Sequence, residues 1–383
     1  GIEENRPNET TRRQIRFADQ STHPGGHSQA PRPYERKWHD DGSGIACGPL
    51  VRLAAPGHGS AMRSSRWLAM LPWLGGLSGC GDRTGLLIPG LDALPPVSVP
   101  PAAPPPSACA DGGSTLIYLI SDGFKLLSYD PPSGALTQIG QITCPETGTC
   151  ASPNGTVVPA SPFSMAVDQT GIAYVVYCDG ELFRVSTANA ACEATTFLSQ
   201  QHDFSPKFGM GFAQNAQGAG ETLYVAGDLD TNAGEPLPSV LASVDTTSLV
   251  LSVIGTFGPQ LLRPELTGTG AGGLFAFAEL YAADDVDEGS SIIAQIEPAT
   301  AQVTRVSPLP GVVQGGAWAF AFWGGDFYTF TAPSSATVVQ RFSPSDGTVT
   351  TVGDVPTDFG LIVGAGVSTC APQTLPQGVT LPR

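Results

Sequence analysis

Charge is scarce in this chain. Only 14% of its 383 residues are Asp, Glu, Lys or Arg, against about 25% in ordinary globular domains. Basic residues are scarcer still, 18 against 34 acidic, and ten of the 18 fall within the first 79 positions. From residue 80 onward 8 basic residues face 27 acidic ones, a net of −19. That excludes a nucleic-acid-binding surface, which needs clustered Lys and Arg, and it repels anionic membrane surfaces. Histidine is nearly absent: His23, His27, His39 and His58 are scattered early, and only His202 follows. A Ser-His-Asp mechanism needs a histidine base, and nothing around His202-Asp203 resembles a nucleophile elbow, so His202 reads as a loop residue. No Cys-x-x-Cys occurs, and the interval from Cys144 to Cys150 is not a zinc-ligand spacing. No glycine-rich phosphate loop leads from a strand into a helix, and long amphipathic helices are missing. The apolar run at 67–77 has eleven residues, about half of the ~20 that a membrane span needs.

That run carries a different signal. Arg63 and Arg66 precede it, Pro72 and Gly75-Gly76 interrupt it, and Leu77-Ser78-Gly79-Cys80 closes it. A charged start, a short apolar middle and a small-residue end make a secretory signal peptide at 62–79. The ending resembles the bacterial lipobox, which implies cleavage before Cys80 and lipidation of that cysteine. Met62 is a plausible initiator, so residues 1–61 read as a disordered or non-native upstream leader. Residues 80–108 are a Pro-rich tether, with Pro95-Pro96, Pro100-Pro101 and Pro104-Pro105-Pro106. Extended as polyproline II at ~3.1 Å per residue it spans up to ~90 Å. Gly81 stands where an inner-membrane retention Asp would in enteric lipoproteins, a resemblance that leans towards the outer membrane.

What is abundant is turn and strand material, 47 Gly and 35 Pro among many Val, Thr and Ala. A nine-residue hairpin recurs five times, starting at Tyr129, Val185, Val244, Ile296 and Phe342. Each copy has an apolar strand end, a polar starter, a short turn and an alternating strand. The starters Asp130, Ser186, Asp245, Glu297 and Ser343 are 56, 59, 52 and 46 residues apart. Such a period without a helical half predicts a β-propeller. A strand rich in aromatic and β-branched residues precedes each hairpin, at 116–120, 172–177, 223–226, 274–277 and 327–330. Four of these follow an innermost strand, at 164–168, 209–212, 266–269 and 317–322. The first copy lacks one, and 362–367 is a strand without a hairpin. The expected fold is therefore all-β, a five-bladed β-propeller at 109–370 closed by its C-terminal strand, with a tail at 371–383. A two-sheet sandwich is the alternative, and it would leave edges to protect.

Six cysteines follow Cys80, and six allow fifteen pairings. In the ring, Cys370 ends the innermost strand of the first blade and Cys109 shortly precedes its neighbour, so a Cys109–Cys370 bridge staples the closure. Cys178 and Cys192 are too far apart along the strand between them. A pair among Cys144, Cys150 and Cys178 is expected on one face, which leaves Cys192 without a partner.

Two candidate sites follow. Asp228, Asp230 and Asn232 space their oxygens as a calcium loop does over its first three positions, although Ala233 and Ser239 depart from the rest of that pattern. With Asp179-Gly180-Glu181 and Asp284-Asp285-Val286-Asp287-Glu288 this loop forms an acidic arc, so calcium is the one candidate cofactor and a solvated rim the plain alternative. The innermost strands start on that face. Ser164, Lys207, Glu265 and Trp318 are therefore candidate ligand-binding residues around a shallow axial mouth.

The segments Phe208-Gly209-Met210-Gly211-Phe212, Pro264-Glu265-Leu266-Thr267-Gly268-Thr269-Gly270 and Val363-Gly364-Ala365-Gly366-Val367-Ser368-Thr369-Cys370, with 162–168 and 318–325, are similar to a family of myxobacterial secreted propeller lipoproteins. That resemblance covers about 109–370 and implies fold and export but no catalytic residues. The leading expectation is a lipid-anchored cell-envelope module that binds or scaffolds a protein or glycan, touching the membrane through its lipid alone. One alternative is a metal-dependent propeller enzyme, a lactonase-like hydrolase or a lyase, for which Glu265 and Asp168 are the strong axial candidates. Another is a passive structural surface protein.

Overall fold

The computed structural model describes residue 109 and residues 116–145, 148–151, 155–216, 220–229, 239–280 and 291–381. The chain divides at residue 80 into two units, and every described residue belongs to the second. The signal segment, Cys80 and the tether lie outside the described residues.

The described chain is a sequence of strands, with only two short 3-10 turns, at Gln201–Asp203 and Thr357–Phe359. The first blade contains β1 (Ile117–Ser121), β2 (Lys125–Asp130) and β3 (Ala135–Gln141). A small hairpin, β4 (Thr149–Ala151) and β5 (Val157–Pro159), leads to the second blade: β6 (Pro162–Val167), β7 (Ile172–Tyr177), β8 (Leu182–Ser186) and β9 (Cys192–Ala194). The third is β10 (Gly209–Gln214), β11 (Glu221–Asp228), β12 (Ser239–Val244) and β13 (Leu251–Thr256). The fourth is β14 (Leu261–Gly268), β15 (Leu274–Leu280), β16 (Ser291–Glu297) and β17 (Gln302–Pro308). The fifth is β18 (Trp318–Trp323), β19 (Asp326–Thr331), β20 (Val338–Ser343) and β21 (Thr348–Asp354). The last strand, β22 (Ile362–Gly366), returns to the first blade, whose order is β22-β1-β2-β3. Its register with β1 sets Gly366 opposite Tyr118, Ala365 opposite Leu119 and Gly364 opposite Ile120. The two ends of the domain thus share one sheet, and the fold is a closed five-bladed propeller.

Residue type explains where each strand sits. In β1, Ile117 and Leu119 join the core between the first and fifth blades, while Tyr118 and Ile120 join the core between the first and second. A strand buried on both faces needs apolar residues at every position, not every second one. The outermost β3 and β21 mix half-buried and exposed positions with none fully buried, as strands at the rim do. Five apolar clusters fill the five junctions, one of them rich in phenylalanine, with Phe275, Phe277, Phe320, Phe322, Phe327 and Phe342 beside Ile293, Leu309 and Val312. Since the junction between the last and first blades is filled like the others, closure buries the edge that an open sheet would expose.

Cys109 is bonded to Cys370, with Cα atoms 5.5 Å apart, and Cys150 to Cys178, at 6.0 Å. Cys192, without a partner in the face-by-face reading of the loops, is bonded to Cys144 at 5.1 Å. Strand twist is the reason. It carries the end of an outermost strand round to the hairpin turn of the next blade, so that Gly140 lies against Asn189 and Ala190, as Gly255 lies against Thr300 and Ala301. Sorting loops by face holds near the axis and fails at the rim.

Candidate functional site

The innermost strands β22, β6, β10, β14 and β18 all run from one face of the ring towards the other. Their first residues form a mouth. There β14 carries a bulge between Leu262 and Glu265. Pro264 has no N–H for the ladder, and a bulge is where a strand accommodates such a residue. Arg263 takes a positive φ of 50°, a strained conformation costing about 1–2 kcal/mol for a residue with a Cβ. This kink hides the start of β14 from a pattern search, which finds only 266–269.

The bulge directs two neighbouring side chains to different tasks. Glu265 turns inward and is 2% exposed. Its Oε1 accepts from Ser164 Oγ at 2.5 Å and from Met210 N at 3.4 Å, and Oε2 has no hydrogen-bond partner among the described residues. Burial pushes this carboxyl well above the usual range, and the bonds from Ser164 and Met210 only partly oppose that. Arg263 lies over the Trp318 ring, 3.9 Å from its centroid, donates from Nη2 to Gly315 O at 2.6 Å, and has Nη1 3.7 Å from Glu279 Oε1. Phe163 meets Trp318 edge-on at 6.3 Å between centroids. Phe163, Glu265, Gly316, Ala317, Trp318 and Val363 line a half-open cavity of about 70 Å³. It has room for a few waters or one small substituent, far less than a drug-sized ligand needs.

Of the four residues expected at the mouth, Ser164, Glu265 and Trp318 come together and Lys207 does not. Lys207 is exposed on the connection before β10, in a turn where Ser205 Oγ accepts from its N–H. Lys207 is not among the residues that line the cavity. Phe163, Val363 and Arg263 are the lining and supporting residues that pattern reading missed. An isolated arginine beside an innermost strand, in a chain so poor in basic residues, was the available signal.

Asp228 ends β11 on the mouth face, and its carbonyl accepts from Ser205 N at 2.8 Å. Asp230, Asn232 and 284–288 lie outside the described residues. Asp179 Oδ1 accepts from Glu181 N at 3.1 Å within its own turn. Among the described residues no three His, Cys, Asp or Glu side chains gather as a metal site. Asp168 caps the turn after β6, accepting from Thr170 N and Ile172 N. It stands four residues beyond Ser164, ~13 Å at ~3.3 Å per residue, so it belongs to the other end of the axis. His202 is exposed in the short turn before β10.

That other end is closed by the tail. Thr369 Oγ1 donates to Glu221 Oε2 at 2.7 Å and accepts from Gln169 Nε2 at 2.9 Å, while Gln169 Nε2 also reaches Gln214 Oε1 at 2.5 Å. Thr369 O lies against Gly270, and Gly324 N donates to Pro372 O at 2.7 Å. The segment after β22 thus touches the turns of the other four blades, and the Cys109–Cys370 bond secures it there.

No family model and no curated protein matches the chain. Among solved structures, one from a nidogen/laminin complex is 10% identical, with a TM-score of 0.38, and covers 68% of this chain and 99% of that one. A family 117 glycoside hydrolase of Zobellia galactanivorans is 11% identical, TM-score 0.37, over 51% of this chain and 70% of its own. An oligogalacturonate lyase in complex with manganese is 11% identical, TM-score 0.28, over 63% and 67%. Likenesses this distant carry no argument about chemistry.

Proposed function

We propose that this chain is a lipid-anchored binding module of a bacterial cell envelope, which receives one small group of a protein or glycan at its axial mouth. The observation that carries the reading is Glu265: a buried carboxyl with one oxygen unengaged among the described residues, lining a cavity at one end of an axis plugged at the other. A binding site needs few polar groups on an apolar wall, and that is what the mouth offers. A metal-dependent hydrolase or lyase would need its acidic ligands gathered at one site, and Asp168, the second strong axial candidate, stands about four strand residues from Ser164 at the far end.

The anchor part of the proposal rests on the lipobox-like Leu77-Ser78-Gly79-Cys80 and the resemblance to secreted propeller lipoproteins. Cys109, the first residue after the tether, is bonded to Cys370 at the plugged end. The outer membrane is the proposed site.

Screening the full chain against glycan and peptide collections tests the reading. The expected result is at least one ligand whose binding is lost in Trp318→Ala, unaffected by Thr350→Ala on the outermost β21, and not accompanied by turnover. Ligands indifferent to Trp318→Ala, or consumed during the assay, overturn it. Mass spectrometry of Cys80 from the native host, with or without a diacylglyceryl thioether, tests the anchor separately.

A further inference from the structure

We propose that the axial cavity holds the acetamido group of an N-acetylated amino sugar. This rests on the reading of the mouth as a binding site and names the chemistry it selects.

The side-chain polar group that Glu265 brings to the cavity is a donor. Glu265 Oε1 already accepts from Ser164 and Met210. A carboxyl this buried, with no cation bonded to it, is held neutral. Its proton then sits on Oε2, the oxygen without a partner among the described residues, and that O–H needs an acceptor. Trp318 Nε1 is buried beside the cavity and without a partner among the described residues, and the Trp318 ring, not this atom, lines the wall. A ligand that displaces water from the Glu265 donor without replacing its acceptor leaves it unmet, at about 1–3 kcal/mol, so a ligand that supplies an acceptor oxygen is selected over one that does not.

Charge narrows the class. A cationic tip would lie beside Trp318, whose ring already faces the Arg263 guanidinium at 3.9 Å. An anionic tip would approach a body with 8 basic against 27 acidic residues from position 80 on. A neutral carbonyl avoids both costs. Phe163, Ala317 and Val363 supply apolar wall for a methyl group, and about 70 Å³ suits a substituent and not a whole sugar ring. Acetamido combines these features: a neutral carbonyl oxygen, a methyl group and a compact outline. The pyranose that bears it would lie across the rim, its C–H face against the half-buried Phe163 and Trp318 rings.

Calorimetry of the full chain with N-acetylglucosamine, chitotriose, glucosamine, glucose and an acetyl-lysine peptide tests this. N-acetylglucosamine and chitotriose are expected to bind, with glucosamine and glucose weaker by about tenfold or more, the loss of one buried hydrogen bond and a methyl contact. Glu265→Gln preserves shape and a donor in place of Oε2–H, so it should keep affinity within about threefold, whereas Glu265→Ala should lose about tenfold or more. Thermal melts of both variants separate lost binding from lost folding. If Glu265→Ala does not fold, Glu265→Gln together with the sugar series still decides. Equal binding of glucose, tighter binding of the acetyl-lysine peptide, or a loss in Glu265→Gln comparable with that in Glu265→Ala overturns the inference. Another ligand bound at the mouth with no response to any acetylated sugar also overturns it, and leaves the binding-module reading standing.

Discussion

Glu221 offers the sharpest quantitative test. It opens β11 at the plugged end, where Oε1 accepts from Gln169 N and Oε2 from Thr369 Oγ1, both at 2.7 Å. Burial raises its pKa from 4.5 to about 7; the bonds from Gln169 and Thr369 oppose the rise and the charge of Asp168 adds to it. Below pH 4.5 the group is protonated in both folded and unfolded chains and contributes nothing. Between 4.5 and about 7 the folded chain keeps a proton that the unfolded chain releases, so this contribution to stability falls as pH rises. Above about 7 the full cost stands, about 3 kcal/mol for a rise of this size at 1.36 kcal/mol per unit. Glu221→Gln can accept from Gln169 N and pair with the Thr369 hydroxyl without titrating. Its stability relative to the parent chain should therefore be near zero at about pH 4 and rise to about +3 kcal/mol at about pH 8. Urea unfolding of both proteins, followed by tryptophan fluorescence across that range, measures the difference and cancels other titrations. A difference independent of pH would refute the assignment of the tail network to a buried, proton-holding carboxyl.

Two further outcomes test closure and packing. Replacing Cys109 and Cys370 by Ser removes a cross-link spanning 261 residues, worth ~5 kcal/mol on a chain-entropy estimate. Hydrogen exchange should then show the β22–β1 pairing opening first, and a loss under ~1 kcal/mol would mean the staple contributes little. In Gly364→Ala the new methyl would meet Met165 N at 2.8 Å and Ile120 Cγ2 at 2.9 Å. We expect destabilisation of about 1–3 kcal/mol in urea melts. Gly353→Ala, with nothing within 4 Å, should stay within about 0.5 kcal/mol; equal effects would sink the close-packing argument.

The repeat was legible because each hairpin carries its own local instructions. The starters Asp130 and Asp245 begin turns closed by backbone bonds from Gly134 and Leu249, and those residues recur at a countable period. Closure could be inferred because the first hairpin lacked an inner strand and 362–367 lacked a hairpin. The start of β14 was not legible, since Pro264 and the left-handed Arg263 break the pattern that a strand search reads. Lys207 was misplaced for a related reason. Its position along the chain gives its distance from β10, but not that its side chain stays in solvent outside the cavity.

Local chemistry therefore determined the blades, their number and the order in which they close, because turn residues and two-residue alternation act over a few neighbours; the extra hairpin β4–β5 was not anticipated. Tertiary structure alone decided which side chains meet. The pairing of Cys144 with Cys192 depends on twist accumulated across a blade. Glu265 reaches Ser164 and Met210 only because a bulge and a glycine from different blades let two backbones approach. Such contacts join residues 55 and 101 positions apart, and no local pattern records them.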